Sequence, residues 1–177
     1  SKIVGYPTRL VIDPINLCNL KCPLCPTGQG KTGQPKGRMK LSDFKKIIDE
    51  LGDYLYEIDL FNWGEPFLNN KIYEIINYAH QKRIQVNISS NLSSFDKKNA
   101  KKLVESGLDN LIVSLDGASQ ESLTKYRCGG DFEKIISNIN EIGKAKKDLK
   151  RKNPKISWQF LIMKHNEHEI GKAKKMA

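Results

Sequence analysis

Five short β-rich runs alternate with amphipathic helical segments along almost the whole chain. The runs occupy residues 8–12, 56–63, 84–89, 110–115 and 156–163. Strands that are separated by helices pair in parallel, because a parallel connection needs a crossover of a dozen or more residues. Each crossover is expected to be right-handed, so that repeated units curl into a barrel or form an open sheet. The sequence therefore predicts an α/β fold with five strand–helix units and a parallel sheet.

Apolar residues recur at helical spacing between these runs. We expect Ser42, Ser94 and Asn166 to be N-caps, since short polar side chains accept hydrogen bonds from the first turn of a helix. The predicted helices cover about 42–51, 71–83, 94–106, 132–150 and a segment that begins at 166.

Composition indicates one globular domain. The 177 residues are enough to bury a core, and 38% hydrophobic with 28% charged residues is typical of a globular domain. No apolar run approaches the roughly 20 residues that a membrane helix needs. Ser1–Val4 show no signal-peptide pattern, and clustered thiols fit a reducing compartment. We therefore expect a cytoplasmic protein without a membrane span.

Basic residues outnumber acidic residues by 30 to 20, which gives a formal net charge of +10. Much of the excess lies in runs such as 97–102, 144–155 and 172–175. A surface that stacks on bases would need aromatic residues among these cations, and the runs carry none. They are typical of solvated helix faces, so we expect no nucleic-acid partner. The charge nevertheless leaves tRNA modification open as an alternative.

Three of the four cysteines lie within eight residues, at Cys18, Cys22 and Cys25. Their softness as ligands favours zinc or an iron–sulfur cluster. Structural zinc takes four protein ligands in a closed tetrahedron, and this run supplies three. Three cysteines around a four-iron cluster would instead leave one iron open to a small molecule. The spacing therefore indicates a metal site, with the open cluster and the zinc module as alternatives.

Polar motifs follow the ends of four successive predicted strands. The cysteines follow the first strand, and residues 62–66, 89–91 and 114–117 follow the next three. Functional residues of parallel α/β folds gather beyond the carboxyl ends of the strands. We therefore expect these motifs to meet at one rim. Gly30, Lys31 and Thr32 match the end of the phosphate-binding pattern G-x-x-x-x-G-K-[S/T]. The first position of that pattern must be glycine and is Cys25 here, so we do not expect a phosphate-binding loop.

The cysteine run resembles the cluster-binding loop of radical S-adenosylmethionine (radical SAM) enzymes, which have the same spacing. That family usually has an aromatic residue before the third cysteine, where this chain has Leu24. The resemblance implies a partial (β/α)6 TIM-like barrel, of which five units can be counted. Residues 1–177 would be the radical SAM core domain. A sixth strand and a C-terminal SPASM or substrate domain would lie beyond Ala177.

Later motifs extend the resemblance to most of the chain. Trp63 to Pro66 resembles the G-G-E-P motif, and Ser90 to Leu92 resembles a T-N-G element with leucine in place of glycine. Residues 114–117 resemble an S-x-D-G element, and residues 126–130 resemble a Y-R-x-G-G element of branches with SPASM domains. The resemblance implies contacts to S-adenosylmethionine from Gly64, Glu65, Ser90, Asn91, Ser114, Asp116 and Arg127.

The resemblance also implies a reaction. Cys18, Cys22 and Cys25 would hold a [4Fe–4S] cluster, and its one-electron reduction would cleave S-adenosylmethionine to a 5′-deoxyadenosyl radical. The radical would take hydrogen from an unidentified peptide, sugar or other small molecule, and flavodoxin or ferredoxin would supply the electron. We expect strand interiors rich in apolar residues to keep the barrel lining dry. The alternative is a non-catalytic zinc or iron–sulfur module, with Cys128 or a partner chain supplying the fourth ligand.

Overall fold

Five parallel strands form one sheet in the computed structural model, which describes residues 5–177. The strands lie side by side in chain order, and every neighbouring pair is parallel. They are β1 Arg9–Val11, β2 Glu57–Asp59, β3 Gln85–Ser90, β4 Asn110–Ser114 and β5 Lys155–Gln159. This topology confirms the predicted α/β class and matches a partial TIM-like barrel. Ser1–Val4, which entered the signal-peptide prediction, lie outside the described residues.

Helices follow the strands as predicted, and one helix was not expected. The helices are α1 Leu41–Leu51, α2 Ile72–Gln81, α3 Ala100–Glu105, α4 Gln120–Tyr126, α5 Phe132–Asp148 and α6 Ile170–Met176. The unexpected helix is α4, which has seven residues and only two buried ones, so that its apolar periodicity is weak. Its position matters because it leads directly into Arg127.

The hydrophobic core lies between the sheet and the helices. Strands with right-handed crossovers in chain order place all their helices on one face of the sheet. Ile58, Val86, Ile88, Leu111 and Val113 are fully buried on that face. They pack against the apolar sides of the helices, which carry fully buried side chains such as those of Phe44, Ile75 and Leu103.

The opposite face of the sheet is polar, which corrects the expectation of an apolar barrel lining. Asp59, Asn87 and Asn110 are register partners on neighbouring strands. Asp59 Oδ1 accepts a hydrogen bond of 2.8 Å from Asn87 Nδ2, and Asp59 Oδ2 accepts one of 2.5 Å from an Arg9 guanidinium nitrogen. Side chains alternate between the faces of a strand, so most apolar residues of β2, β3 and β4 lie on the helix face, whereas Val11 and Ile112 share the polar face.

Three predicted helix caps were wrong. Ser42 lies inside α1, which begins after Lys40 without a side-chain cap. Ser94 does not cap a helix, because Asp96 caps a short 3₁₀ turn, Lys97–Asn99, that leads into α3. Asn166 precedes the 3₁₀ turn Glu167–Glu169 but gives it no side-chain cap. Its Oδ1, the atom that would cap, instead accepts a hydrogen bond of 2.7 Å from Met163 N, while its Nδ2 donates to Asp116 O and Leu161 O.

Two strands end four residues before their predicted ends. β2 ends at Asp59 rather than near Trp63, and β5 ends at Gln159 rather than at Met163. The apolar residues after these strands lie in the loops of the rim. Across residues 5–177, no helix has both the length and the apolar character that crossing a membrane would require.

Candidate functional site

A cavity of about 140 Å³ lies beyond the carboxyl ends of β2, β3 and β4. All three clustered cysteines line it, together with six of the seven predicted cofactor-binding residues. These six are Gly64, Glu65, Ser90, Asn91, Ser114 and Arg127. The seventh, Asp116, is fully buried behind the wall of the cavity. The structure therefore brings together residues that lie more than a hundred positions apart in the sequence.

The cysteine loop folds tightly on itself. Cys22 O accepts hydrogen bonds from Cys25 N and from Gln29 Nε2, each of 3.2 Å. A Cβ atom at Gly28 would lie 2.7 Å from Cys22 N, closer than non-bonded atoms approach. Leu20 N donates to Cys18 Sγ at 3.4 Å. These contacts hold the backbone of the cysteine loop, and the Cys18 thiol is bound to that backbone directly.

The turn after β2 packs against the backbone that precedes the cysteine loop. Glu65 N donates to Leu17 O at 2.8 Å. A Cβ atom at Gly64 would overlap Ile15 O and would lie 3.0 Å from Leu17 O. Only glycine lets the turn come this close to the backbone before the first cysteine. The glycine of the W-G-E-P sequence is therefore required by packing against the cysteine loop.

Two further contacts hold the loop in place. Lys21 N donates to Cys128 O at 2.9 Å, which joins the loop to the segment after α4. Thr27 Oγ1 donates to Trp63 O at 2.5 Å, which joins it to the turn after β2. Cys128 thus contributes its backbone, while its thiol donates to Thr124 O at 3.4 Å.

Glu65 links the turn after β2 to the end of β3. Its buried carboxylate accepts hydrogen bonds from Ser90 Oγ at 2.7 Å, Asn91 N at 2.9 Å and Phe67 N at 3.3 Å. Burial raises the pKa of this carboxyl, and the three donors oppose that rise. The carboxylate is occupied within the protein, so Glu65 positions its neighbours. One of them, Asn91, points its amide at Cys18 Sγ from 3.8 Å.

Leu92 adopts a backbone conformation that glycine usually takes. Its φ is +51°, in the left-handed region, at the position where the family element has glycine. Its side chain is fully buried in the core. Leu92 N donates to Ser90 Oγ at 2.9 Å, and Ser93 N donates to Asn91 Oδ1 at 2.8 Å. These contacts maintain the turn that presents Ser90 and Asn91 to the cavity.

Asp116 and Arg127 form a buried ion pair beside the cysteines. Arg127 Nε lies 2.6 Å from Asp116 Oδ2, and Asp116 Oδ1 accepts a 2.7 Å hydrogen bond from Leu161 N. Burial would lower the pKa of Arg127, but the negative charge of Asp116 and the hydrogen bond between Arg127 and Asp116 raise it. Burial raises the pKa of the Cys22 thiol, and the positive charge of Arg127 opposes that shift. Asp116 therefore acts through Arg127, which faces the cavity and Cys22.

Replacing Asp116 with asparagine should destabilise the protein and release Arg127. The substitution leaves a guanidinium that is only 18% exposed without its counter-charge, which we expect to lower the free energy of unfolding by about 3 kcal/mol. Chemical denaturation measures this change. Asp43→Asn is the control, since Asp43 forms an exposed pair with Lys46 at 3.8 Å and its loss should change stability little. Equal effects of the two substitutions would contradict a structural role for the buried pair.

A row of polar side chains crosses the rim from β3 to β5. Ser89 Oγ lies 3.0 Å from Ser114 Oγ, and Ser114 Oγ lies 3.3 Å from Gln159 Oε1. Ser89 belongs to the 89–91 motif that was expected at the rim, whereas Gln159 was not predicted from the sequence. Gln159 ends β5 in register with Ser114, which would have identified it once the strand end was known. Leu24, in contrast, is 80% exposed and does not line the cavity.

The donor set fits an iron–sulfur cluster better than zinc. Among residues 5–177, no three His, Cys, Asp or Glu side chains converge closely enough to share one metal ion. A closed zinc site needs four ligands at one point, whereas in a cluster each thiolate binds a separate iron. Burial raises the pKa of the Cys18 thiol to about 11, and a metal centre would stabilise its thiolate.

Two relatives from Methanosarcina barkeri are similar in sequence over most of this chain. The Fe-coproporphyrin III synthase is 31% identical over 154 residues, which covers 86% of this chain and 36% of that protein. The AdoMet-dependent heme synthase is 30% identical over 129 residues, which covers 72% of this chain and 37% of that protein. The chain thus spans about a third of the length of these curated relatives.

A solved structure has the same fold. Streptococcus suis SuiB bound to its precursor peptide SuiA matches with a TM-score of 0.79 at 18% identity, over 98% of this chain and 37% of SuiB. The model of the radical SAM superfamily matches residues 12–172. Proteins of this superfamily are enzymes that use a [4Fe–4S] cluster and S-adenosylmethionine. The chain belongs to the radical SAM superfamily.

Proposed function

We propose that residues 1–177 are the core domain of an enzyme in which Cys18, Cys22 and Cys25 hold a [4Fe–4S] cluster and the adjoining cavity takes S-adenosylmethionine. The proposal rests on one observation: the three thiols and the polar groups at three strand ends face the same cavity. A sixth strand–helix unit and a SPASM or substrate domain would belong to the same protein outside this chain.

The side chains around the cavity suit the charges of S-adenosylmethionine. Arg127, oriented by Asp116, supplies a fixed positive charge for the methionine carboxylate. Backbone carbonyls of the turn at Gly64 and Glu65 would accept hydrogen bonds from the amino group. Ser90, Asn91 and Ser114 supply hydrogen-bonding groups along the rest of the rim. When bound, the cluster supplies the electron that cleaves the sulfonium to methionine and a 5′-deoxyadenosyl radical.

The substrate would be a peptide or a small molecule from which this radical takes a hydrogen atom. Two features support that class: the similarity in sequence to tetrapyrrole-forming enzymes and the fold shared with SuiB, which was solved with a precursor peptide. A flavodoxin or ferredoxin would supply the electron. A cytoplasmic location suits a reduced thiol cluster.

Anaerobic reconstitution with iron and sulfide tests the assignment. We expect a reduced four-iron signal in the electron paramagnetic resonance spectrum that changes when S-adenosylmethionine is added. The change would place the small molecule at the cluster. Zinc uptake without iron, or an iron signal that ignores the cofactor, would contradict the proposal.

A further inference from the structure

A buried carboxylate outside the cavity, that of Glu169, joins two parts of the rim. Glu169 is only 8% exposed and ends the 3₁₀ turn that leads into α6. Its Oε2 atom accepts a hydrogen bond of 2.7 Å from Ala118 N and another from Ser122 Oγ. Burial would raise the pKa of Glu169, but the hydrogen bonds that it accepts hold that pKa below its usual value. The side chain is therefore charged and ties the start of α6 to the start of α4.

Glu169 holds α4 at the end opposite to Arg127. Ser122 lies in the first turn of α4, and Arg127 follows the last residue of this helix. A Cβ atom at Gly117 would lie 2.5 Å from Leu123 N, so the chain after β4 packs tightly against the same first turn. Arg127 N donates to Leu123 O at 2.8 Å, which continues the helical hydrogen bonding to Arg127. A shift of α4 would therefore move the backbone that carries Arg127.

The loop after β5 also holds the partner of Arg127. Leu161 N donates to Asp116 Oδ1 at 2.7 Å, and Asn166 Nδ2 donates to Asp116 O at 3.1 Å. The other carboxylate oxygen, Asp116 Oδ2, accepts the 2.6 Å hydrogen bond from Arg127 Nε. We name residues 161–169 the clamp segment, because they bind both Asp116 and the start of α4. The two attachments of the clamp segment converge on one guanidinium.

We propose that Glu169 is a positioning residue, which through α4 holds Arg127 in place for the methionine carboxylate of S-adenosylmethionine. The inference rests on the proposed function and extends that site to a residue outside the cavity. A hydrogen bond between a guanidinium and a carboxylate depends on close distance and good alignment. Loss of the Glu169 carboxylate leaves Ala118 N and Ser122 Oγ without their acceptor and loosens the start of α4. Arg127 would then meet the ligand carboxylate in poorer geometry.

Anaerobic equilibrium dialysis of the iron-loaded chain tests this role. Two ligands are compared, S-adenosylmethionine and 5′-deoxyadenosine, because the second has no carboxylate for Arg127 to bind. We expect Glu169→Ala to bind S-adenosylmethionine about tenfold more weakly than the parent, as the loss of one charge-assisted hydrogen bond would cause. Its affinity for 5′-deoxyadenosine and its iron content should equal those of the parent. Glu167→Ala is the control, since Glu167 is exposed on the same turn, and it should bind both ligands as the parent does.

Ser122→Ala is a milder variant that removes one of the two hydrogen bonds to Glu169. We expect it to bind S-adenosylmethionine about threefold more weakly and 5′-deoxyadenosine as the parent does. Equal losses for both ligands would show that Glu169 serves folding alone, and unchanged affinity for S-adenosylmethionine would show that α4 does not depend on it; either result overturns the proposal. If Glu169→Ala does not fold, Ser122→Ala decides between the same outcomes. A parent protein that carries its iron but binds no S-adenosylmethionine would instead overturn the proposed function, and this inference with it.

Discussion

Replacing Cys22 with alanine should abolish cluster binding and the production of 5′-deoxyadenosine. Cys22 is the most buried of the three cysteines, at 4% exposure, and lies beside the guanidinium of Arg127. Without its thiolate, one iron of the proposed cluster would lack its protein ligand. Iron and sulfide content per chain measures the loss of the cluster, and chromatography of the reaction measures the product.

Cys128→Ala is the control for this substitution. The Cys128 thiol donates to Thr124 O and does not line the cavity, while its backbone carbonyl, which contacts the cysteine loop, remains in the variant. We expect it to keep its iron. Product formation by Cys22→Ala at the parent's rate would refute the cluster assignment, and loss of iron in the Cys128 variant would point to four cysteine ligands.

Replacing Gly64 with alanine should displace the cysteine loop. The added methyl group overlaps Ile15 O, and the backbone on both sides of this contact is fixed by hydrogen bonds. We expect a loss of about 3 kcal/mol in the free energy of unfolding, or roughly 6–12 °C in Tm, together with a low iron content. Thermal unfolding and iron analysis on the same sample measure both effects.

Gly37→Ala is the matched substitution, because no atom lies within 4 Å of a Cβ built at that glycine. Its φ is not in the left-handed region, so alanine should fit without strain. Stability and iron content should remain near those of the parent. If the Gly64→Ala protein has the Tm of the parent and keeps its iron, the cysteine loop tolerates movement at this contact.

The parts of the site that depend on local patterns were predicted from the sequence. Cysteine spacing, strand alternation and turn residues are local properties, and they located the rim. Nine predicted residues line its cavity, and one of them, Arg127, was implied by the family resemblance alone. The roles of Glu65 and Asp116 in positioning their neighbours could not be predicted from the sequence. Each carboxylate is bound by groups distant in the chain, and nothing in the local sequence identifies those partners. Whether these residues contact S-adenosylmethionine remains a prediction.

The polar face of the sheet shows a second limit. Each strand run contains enough isoleucine, valine and leucine to suggest two apolar faces. The structure places most of these residues on the helix side and Asp59, Asn87 and Asn110 on the other. In runs of three to six residues, period-two alternation is too short to distinguish a strand buried on both faces from one buried on a single face.

Synthesis of the chain separates the cysteine loop from the groups that support it. Gly64 leaves the ribosome about forty residues after Cys25, and Cys128 about a hundred residues after it. At about 5–20 residues per second, the thiols would wait roughly 5–20 s for the last contact. During that interval the cysteine loop cannot form its full set of contacts with Gly64, Glu65 and Cys128. Cells should therefore load the cluster onto a chain that has already grown past Cys128.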